Sequence, residues 1–241
     1  MIESENVARL PLSQDFHSVQ GEGSFVGAQM HFIRVAGCNV GVFPSIHQRL
    51  ASPDKGLMVL QQANPSHSIC TSALGQKFLC DTEYNKVISR VCALDVIEAT
   101  REDFICITGG EPFLYQHLKD FVDEIVCRTG IRVHIETSGT LPIDEFYDEY
   151  AWITCSPKAG FLMENRHKVD EFKFVVDRNP TPQMIQSIVD IVDGCEAEVF
   201  LQSVNGIDTV DSESTAALLT ILKQHPSWRL SVQLHKILGV D

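Results

Sequence analysis

The feature that most constrains the fold is a regular alternation of short β-rich runs with longer segments of helical period. The runs span residues 30–36, 103–108, 131–137, 151–156, 171–177, 198–203 and 229–234. They are rich in Val, Ile and Phe, which favour strands. Strands that alternate with helices are joined by right-handed crossovers. The pattern therefore predicts an α/β fold with a mainly parallel sheet.

The segments between the runs carry apolar residues at the spacing of amphipathic helices. This spacing predicts helices over 84–100, 113–128 and 212–223. A further helix is predicted to begin at Thr181-Pro182, because a hydroxyl residue followed by proline is a typical helix start.

The length of the chain limits how many such units it can form. A closed eight-fold barrel typically needs about 250 residues. This chain has 241, and residues 43–79 are polar and irregular, with at most a short strand near 56–61. Long loops of this kind in compact domains are usually functional or mobile. We therefore expect one domain over 1–241, a partial and open parallel β/α barrel with an insertion at about 43–79.

Polar and glycine-rich clusters follow six of the runs. They are Gly37-Cys38-Asn39, Thr108-Gly109-Gly110-Glu111-Pro112, Glu136-Thr137-Ser138-Gly139, Ser156-Pro157-Lys158, Gln202-Ser203-Val204-Asn205 and His235-Lys236. Reactive side chains of parallel α/β folds collect at the carboxyl ends of the strands. Although one such cluster alone could be an ordinary turn, six together predict that the carboxyl ends of the strands form one functional opening, or mouth.

The charge balance narrows the possible partners and location. The chain has 19 Lys and Arg against 32 Asp and Glu, a formal net charge of −13, which repels nucleic-acid backbones and anionic membranes. No run approaches the ~18 apolar residues of a membrane span, and residues 1–16 lack the pattern of a signal peptide. We expect a cytoplasmic protein with neither nucleic acid nor membrane as a partner.

Eight cysteines in such a chain favour metal binding or thiol chemistry over disulfides, because the cytosol is reducing. Cys38, Cys70 and Cys80 lie among Gly, Ser, Thr and Asp, where loops are expected. The others are interpreted as mainly structural thiols, namely Cys92, Cys106, Cys127, Cys155 and Cys195.

The three loop cysteines are compatible with two kinds of metal centre. A structural zinc site usually has four ligands in close pairs, which this chain lacks. Three soft ligands without a fourth suit a [4Fe–4S] cluster with one iron open to another chelator. The histidines show no metal-ligand spacing and are interpreted as structural or exposed, namely His17, His31, His47, His67, His117, His134, His167 and His225.

Several motifs together resemble the 7-carboxy-7-deazaguanine synthases, a family of radical S-adenosylmethionine enzymes. They are Phe16 to Gly23 (FHSVQGEG), Gly27, Phe32, Arg34, Gly37-Cys38-Asn39, Cys80-Asp81-Thr82, Thr108 to Pro112 (TGGEP), Glu136 to Gly139 (ETSG), Ser156-Pro157-Lys158, Glu171-Phe172-Lys173, Gln202 and Trp228 to Lys236. Gly-Gly-Glu-Pro is shared by the wider superfamily, whereas Gln-Gly-Glu-Gly and Cys-Asp-Thr are more restrictive. The resemblance covers nearly the whole chain except the insertion.

The resemblance implies a lyase that converts 6-carboxy-5,6,7,8-tetrahydropterin to 7-carboxy-7-deazaguanine with loss of ammonia, on the route to queuosine. Hydrogen would be taken from C6 and later returned, so that S-adenosylmethionine is regenerated. Implied cofactors are a [4Fe–4S] cluster, S-adenosylmethionine and Mg²⁺. Implied partners are an electron donor such as flavodoxin or ferredoxin and a second copy of the chain.

The resemblance also implies a role for individual residues. Cys38, Cys70 and Cys80 would hold the cluster, and Thr82 would bind Mg²⁺. Residues implied in S-adenosylmethionine binding are Leu79, Asp81, Gly110, Glu111, Glu136, Ser138, Ser156, Pro157, Lys158, Gln202, Ser203, Val204 and Asn205. Residues implied in pterin binding are Val19, Gln20, Gly21, Glu22, Arg34, Thr108 and Asp241. The planar guanidinium of Arg34 suits the substrate carboxylate.

The second cluster ligand departs from the usual Cys-x-x-x-Cys-x-x-Cys pattern. Lys77 occupies the position three before Cys80 and cannot replace a thiolate. We predict Cys70 as this ligand, since the family tolerates a long first gap, with Cys92 as its rival.

Two other functions remain open from the sequence alone. A glycyl-radical-activating enzyme would use the same cofactors on a protein substrate, but it gives no reason for Arg34 or for Cys-Asp-Thr. A non-catalytic zinc scaffold would leave the six polar strand ends unexplained.

Overall fold

The computed structural model describes residues 7–207 and 209–239. The strands are β1 (Arg9–Val19), β2 (Gln29–Val35), β3 (Ile69–Thr71), β4 (Lys77–Leu79), β5 (Ser89–Cys92), β6 (Phe104–Gly109), β7 (Arg132–Thr137), β8 (Ala151–Cys155), β9 (Glu171–Val176), β10 (Glu198–Ser203) and β11 (Arg229–Ser231). The α-helices are α1 (Ile46–Ala51), α2 (Lys55–Ala63), α3 (Ala93–Ala99), α4 (Leu118–Thr129), α5 (Tyr147–Tyr150), α6 (Pro182–Val192), α7 (Ser212–Leu222) and α8 (Leu234–Leu238).

Nine strands form one sheet in the order β11-β10-β9-β8-β7-β6-β2-β1-β5. In the part of this sheet that runs from β11 to β2, each strand is parallel to its neighbours. At the other edge, β1 is antiparallel to both β2 and β5. Each of the seven predicted runs overlaps one of the parallel strands, although β11 ends at Ser231 and Leu234 begins α8. The predicted α/β architecture with an open, mainly parallel sheet is confirmed.

The two antiparallel strands were not predicted. β1 contains Pro11, which disfavours the interior of a sheet, and its apolar pattern fades after Leu12. The helix predicted over 84–100 is wrong in its first half, because Ser89–Cys92 form β5 and only Ala93–Ala99 are helical. Backbone pairing of β5 with β1 decides the structure here, since a four-residue segment has too weak a helical preference to resist it.

Four helices, α3, α4, α6 and α7, each bury one face in the main apolar core beside the sheet. In α4, Phe121 and Ile125 are fully buried in the same apolar cluster as Ile107 of β6. α6 begins as predicted, with the Thr181 hydroxyl accepting a hydrogen bond from the Met184 N–H at 3.3 Å. The predicted helix over 212–223 is confirmed as α7. Among the helices of the described residues, none is long and apolar enough to cross a bilayer.

The other face of the central strands packs differently. Met30 and Phe32 of β2 and Cys106 of β6 form a small apolar cluster of their own. Because successive side chains of a strand point to opposite faces, Arg34 shares this face with Phe32. This inner face continues into the cavity described below.

The insertion is more regular than predicted. The short strand expected near 56–61 is wrong, because Lys55–Ala63 form α2, capped by an Asp54 carboxylate that accepts from the Leu57 N–H at 2.8 Å. Capping and the buried Gln61 at its inner face favour the helix here. Further along, β3 and β4 pair as an antiparallel hairpin.

Candidate active site

A cavity of about 880 Å³ lies at the carboxyl ends of the parallel strands. All six polar clusters predicted at strand ends contribute to its wall, so the prediction of one mouth is confirmed. Among the predicted site residues that lie in 7–207 and 209–239, all border the cavity except Glu111 and Pro157. Asp241 lies outside the described residues.

Three cysteine thiols meet at this cavity. Cys38 follows β2, Cys70 lies in β3 and Cys80 follows β4, and all three border the cavity. A hydrogen bond with Cys80 lowers the pKa of the Cys70 thiol to about 7, and the same contact together with burial raises the pKa of Cys80. Burial also raises the pKa of Cys38. The structure thus gathers three soft ligands, one of which ionises readily.

The β3–β4 hairpin owes its position to a few contacts with the rest of the molecule. The Ala159 N–H donates to the Thr71 carbonyl at 2.9 Å, and the Ala73 N–H donates to the Pro157 carbonyl at 2.9 Å. The Tyr84 hydroxyl donates to the Ser68 hydroxyl at 2.6 Å, two residues before Cys70. Pro157 therefore acts on the site through its backbone, by anchoring the hairpin that carries Cys70.

The remaining cysteines lie away from the cavity. Cys92, the rival ligand, caps α3, and its thiol donates to the Asp95 carboxylate at 3.0 Å. Cys106 and Cys155 are fully buried, as expected of structural thiols. The interpretation of Cys127 is wrong, because it lies on the exposed face of α4, where helical spacing allows a thiol to face solvent.

The Gly-Gly turn after β6 brings two loops into direct contact. Gly109 has φ +122°, a conformation that favours glycine. A Cβ on Gly110 would collide with the Gly37 carbonyl, and the Glu111 N–H donates to that carbonyl at 2.9 Å. The backbone just before Cys38 therefore packs directly against Gly110, where a larger residue would not fit.

Glu111 does not border the cavity but joins two loops beside it by hydrogen bonds. Its fully buried carboxylate accepts from the Thr137 hydroxyl at 2.7 Å and from the Ser138 N–H at 2.8 Å. These contacts join the loop after β6 to the loop after β7. The carboxylate has its donors within the protein, so its effect on a bound cofactor is indirect.

Arg34 presents an incompletely satisfied guanidinium to the cavity. Its Nη1 donates to the Thr82 hydroxyl at 2.8 Å, and its guanidinium carbon lies 5.5 Å from the centre of the Phe16 ring. Among the residues that the structure describes, its buried Nε has no hydrogen-bond partner. A buried N–H group without an acceptor lowers the stability of the fold unless a ligand accepts its hydrogen bond. A carboxylate can accept hydrogen bonds from two nitrogens of the planar guanidinium at once.

A buried group of charges lies beside it. Lys173 of β9 contacts the Glu22 carboxylate, and its Nζ lies 3.8 Å from Glu136 Oε1. Burial opposes the charge on Lys173, but the two carboxylates outweigh burial and raise its pKa. Glu136 also accepts from the Thr108 hydroxyl at 2.6 Å and from the Gln20 amide at 3.3 Å. These contacts hold both carboxylates in place as acceptors at the cavity wall, and against the opposing effect of burial Lys173 lowers the pKa of Glu136.

The C-terminal segment completes the wall from the other side. The Gln233 amide donates to Glu22 at 2.8 Å and to Asp81 at 3.1 Å, and the Lys236 ammonium donates to Asp81 at 2.9 Å. Surrounding protein opposes the charge of Asp81, but Lys236 holds its pKa well below the usual range. Although the Asp81 side chain is 40 % open, that surface faces the cavity.

Sequence reasoning did not assign a site role to Lys173 or to Gln233. The signal for Lys173 was a lysine inside an apolar strand run, since a charge in such a place needs a partner. Gln233 gave no signal of its own, because its role depends on chain folding that brings it to Glu22.

The chain was compared with known proteins. No protein-family model matches it. A 7-carboxy-7-deazaguanine synthase of Burkholderia multivorans is 31 % identical, covering 93 % of this chain and 96 % of the relative. The enzyme of that name from Bradyrhizobium diazoefficiens is 30 % identical, again over 93 % of this chain and 96 % of the relative. The chain belongs to the 7-carboxy-7-deazaguanine synthase family.

The fold agrees with this family assignment. The crystal structure of QueE from Escherichia coli matches with a TM-score of 0.62 at 23 % identity, over 94 % of this chain and 95 % of that one. Members of the 7-carboxy-7-deazaguanine synthase family are radical S-adenosylmethionine lyases, with a [4Fe–4S] cluster, S-adenosylmethionine and a pterin substrate. The grouping of the Cys38, Cys70 and Cys80 thiols beside a large polar cavity fits such a cluster and cofactor.

Proposed function

We propose that this chain converts 6-carboxy-5,6,7,8-tetrahydropterin to 7-carboxy-7-deazaguanine with release of ammonia, a step toward queuosine. The observation that carries the proposal is Arg34, whose buried Nε lacks a partner at the wall of a cavity that also holds three thiols. A carboxylated substrate satisfies this donor, and full-length likeness to named synthases gives the reaction.

The cluster-binding residues are Cys38, Cys70 and Cys80. Their proximity, and the position of Cys92 away from the cavity, support Cys70 as the second ligand. When bound, the reduced cluster and S-adenosylmethionine supply a 5′-deoxyadenosyl radical that takes hydrogen from C6 of the pterin and later returns it. The chain itself orients both molecules and excludes water.

S-adenosylmethionine binds along the ends of β6, β7, β8 and β10. Gly110 borders the cavity and binds the methionyl ammonium, and Glu111 holds the adjoining loops in place. The other cofactor-binding residues are Leu79, Asp81, Glu136, Ser138, Ser156, Lys158, Gln202, Ser203, Val204 and Asn205, with Pro157 acting through its backbone.

The pterin lies between Arg34 and the Glu22–Lys173 pair. Arg34 binds the substrate carboxylate through two nitrogens. Glu22, held in place by Lys173 and Gln233, accepts hydrogen bonds from the guanidine-like edge of the ring. The other pterin-binding residues are Val19, Gln20, Gly21, Thr108 and Asp241.

Mg²⁺ is held by the Thr82 hydroxyl together with substrate oxygens, a shell that suits a hard cation with few protein ligands. Neighbouring Asp81 offsets part of the added positive charge. Thr82→Val should abolish stimulation by Mg²⁺ while the cluster content stays unchanged, and Thr82→Ser should keep both. Equal Mg²⁺ stimulation in Thr82→Val and in the unaltered enzyme would contradict this role.

The protein is further proposed to be a single cytoplasmic domain that works as a homodimer and takes its electron from a flavodoxin or ferredoxin. Light scattering on the cluster-loaded protein measures the oligomeric state. Reduction of the cluster by each purified donor, followed by its absorbance, identifies the reductant.

The experiment that tests the reaction is anaerobic reconstitution with iron and sulfide, followed by incubation with dithionite, S-adenosylmethionine, Mg²⁺ and the carboxytetrahydropterin. We expect the deazaguanine by mass spectrometry, one ammonia for each product, and no net loss of S-adenosylmethionine. A loaded enzyme that forms no deazaguanine, and that releases deoxyadenosine only with another substrate, would overturn the proposal.

A further inference from the structure

A second cluster of potential metal ligands lies on the β1–β2 pair, on the opposite face from Arg34. His17 of β1 is paired with His31 of β2, and Asp15 lies two residues before His17 on the same face. One ligand atom from each of the three residues lies within 4.8 Å of the other two. The two imidazole rings stack with their centres 4.2 Å apart. Antiparallel register thus creates a set of two histidines and one carboxylate.

The hydrogen bonds of His31 determine which ring nitrogen carries a proton. The Thr100 hydroxyl lies 2.7 Å from the Val96 carbonyl, which can only accept, so the hydroxyl proton is donated there. The same hydroxyl oxygen lies 2.7 Å from His31 Nδ1 and must accept from it. Nε2 lies 2.7 Å from Asp15 Oδ1, so a proton or a metal ion must be shared by these two atoms.

His17 has the same arrangement. Its Nδ1 lies 2.9 Å from the Glu102 carboxylate, which accepts a hydrogen bond from the Nδ1–H. Nε2 of the neutral ring is left as a lone-pair donor. A carboxylate or hydroxyl behind each imidazole is the outer arrangement typical of metal-binding histidines, since it fixes the tautomer and the ring orientation.

Charge favours a cation between these groups. The ion-pair partners of Asp15 and Glu102 within the described residues are the two histidines themselves. Neutralising both carboxylates by protonating both rings would put two positive charges face to face at the stacking distance. A divalent cation neutralises the two carboxylates while both rings stay neutral.

We propose that Asp15, His17 and His31 bind a divalent transition-metal ion of the Zn²⁺ type on the face of the β1–β2 pair opposite Arg34; of the three, Asp15 also borders the cavity. Two nitrogens and one oxygen suit a borderline metal better than Mg²⁺ or Ca²⁺. His31 is fully buried, whereas the side chains of Asp15 and His17 are 38 % and 44 % exposed, so the ion enters from solvent and its fourth position holds water. The bound ion joins β1, β2 and, through Thr100 and Glu102, the segment between α3 and β6.

The test uses cluster-loaded protein, in which the proposed cluster thiols are occupied. Zn²⁺ is titrated calorimetrically, and bound zinc is counted by elemental analysis after equilibrium dialysis. We expect one equivalent in the unaltered protein and at least a tenfold weaker affinity in Asp15→Asn and in His17→Gln. His31 is left intact, because changing a fully buried residue can unfold the chain.

The matched control is His117→Gln. His117 is also exposed and has an acidic neighbour, Asp120, at 3.7 Å, but it is not part of the three-residue group. This variant should bind zinc as the unaltered protein does. Glu102→Gln, which acts only through His17, should weaken binding about 10- to 100-fold without changing the stoichiometry at saturation. Circular dichroism checks that each variant is folded.

Two outcomes would overturn the proposal. One is equal zinc affinity in the unaltered protein, Asp15→Asn and His17→Gln, which would assign the metal to other groups such as the exposed Cys127 thiol. The other is less than one-tenth of an equivalent of zinc at saturation in the unaltered protein.

Discussion

The two ends of the cavity are built in different ways. Arg34, Thr108 and Glu136 stand on β2, β6 and β7, strands that are hydrogen-bonded to a neighbour on both sides. Cys70 lies in a hairpin of three-residue strands, and Cys80 directly follows it. The hairpin is joined to neighbouring loops by four backbone hydrogen bonds, two of them between Ile69 and Val42, and by the Tyr84–Ser68 contact. Two-stranded hairpins are marginally stable alone.

Because of this difference, substrate recognition at the sheet and cluster binding at the hairpin depend on parts of the molecule with different stability. The substrate end inherits the stability of the whole sheet, whereas the hairpin is expected to open locally at a lower free energy than global unfolding. A loosely held thiol pair permits a bulky cluster to enter, and the bound cluster then fixes the hairpin. The following predictions test this division.

The largest effect is expected from Cys70→Ala in the hairpin. The variant should lose nearly all cluster absorbance, iron and sulfide while keeping the fold, because two remaining thiols hold a cluster poorly. Cys92→Ala is the control and should load normally, since Cys92 lies at the cap of α3. A fully loaded Cys70→Ala protein would falsify the ligand assignment.

At the sheet end, Arg34→Lys should lower kcat/KM about 100-fold, because lysine keeps the charge but loses the two-nitrogen fork, a loss of about 2.7 kcal/mol. Cluster content and the free energy of unfolding should stay near those of the unaltered enzyme. Steady-state kinetics with the carboxytetrahydropterin measures the effect. If Arg34→Lys instead lost the cluster but kept the kcat/KM per bound cluster, substrate recognition and cluster binding would not be assigned to different ends of the cavity.

A third test uses His134 of β7, which is buried among aromatic rings, with Phe25 at 4.1 Å between ring centres. Burial lowers its pKa to about 4 in the folded protein, from about 6.5 for a histidine in water. The unfolded chain therefore binds more protons as the pH falls below 6.5, and the folded state loses about 2 kcal/mol between pH 7.5 and pH 5.

Urea unfolding at these two pH values measures that loss. His134→Phe should show a smaller drop in stability on acidification, whereas the exposed His47→Gln should behave as the unaltered protein does. Equal drops in all three proteins would show that His134 does not control the acid sensitivity of the sheet.

The smallest effect is expected from Tyr84→Phe. The substitution removes the hydrogen bond to the buried Ser68 hydroxyl, with a cost of about 1 kcal/mol confined to the hairpin. Amide hydrogen exchange should accelerate over 67–80 with little change in β6 and β7. Uniform acceleration throughout the sheet would show that hairpin and sheet open together.

The sequence was most informative where one interaction dominates. Apolar runs such as 103–108 become central strands because burial on both faces leaves few alternatives. Polar residues at their ends, Arg34 and Glu136 among them, then share an edge by topology alone.

It was least informative where distant pairing decides. β5 is a strand because β1 lies beside it, and α2 is a helix in a segment of ambiguous period. The grouping of Asp15, His17 and His31 depends on the antiparallel register, which no local spacing reveals.

The contacts of the C-terminal segment also bear on when the protein becomes competent during its synthesis. Gln233 reaches Glu22 across 211 residues of chain, and Lys236 reaches Asp81 across 155. Both contacts can form only after these last residues have left the ribosome. Until then Asp81, which directly follows Cys80, lacks its lysine partner, so this side of the cavity wall is completed late in synthesis.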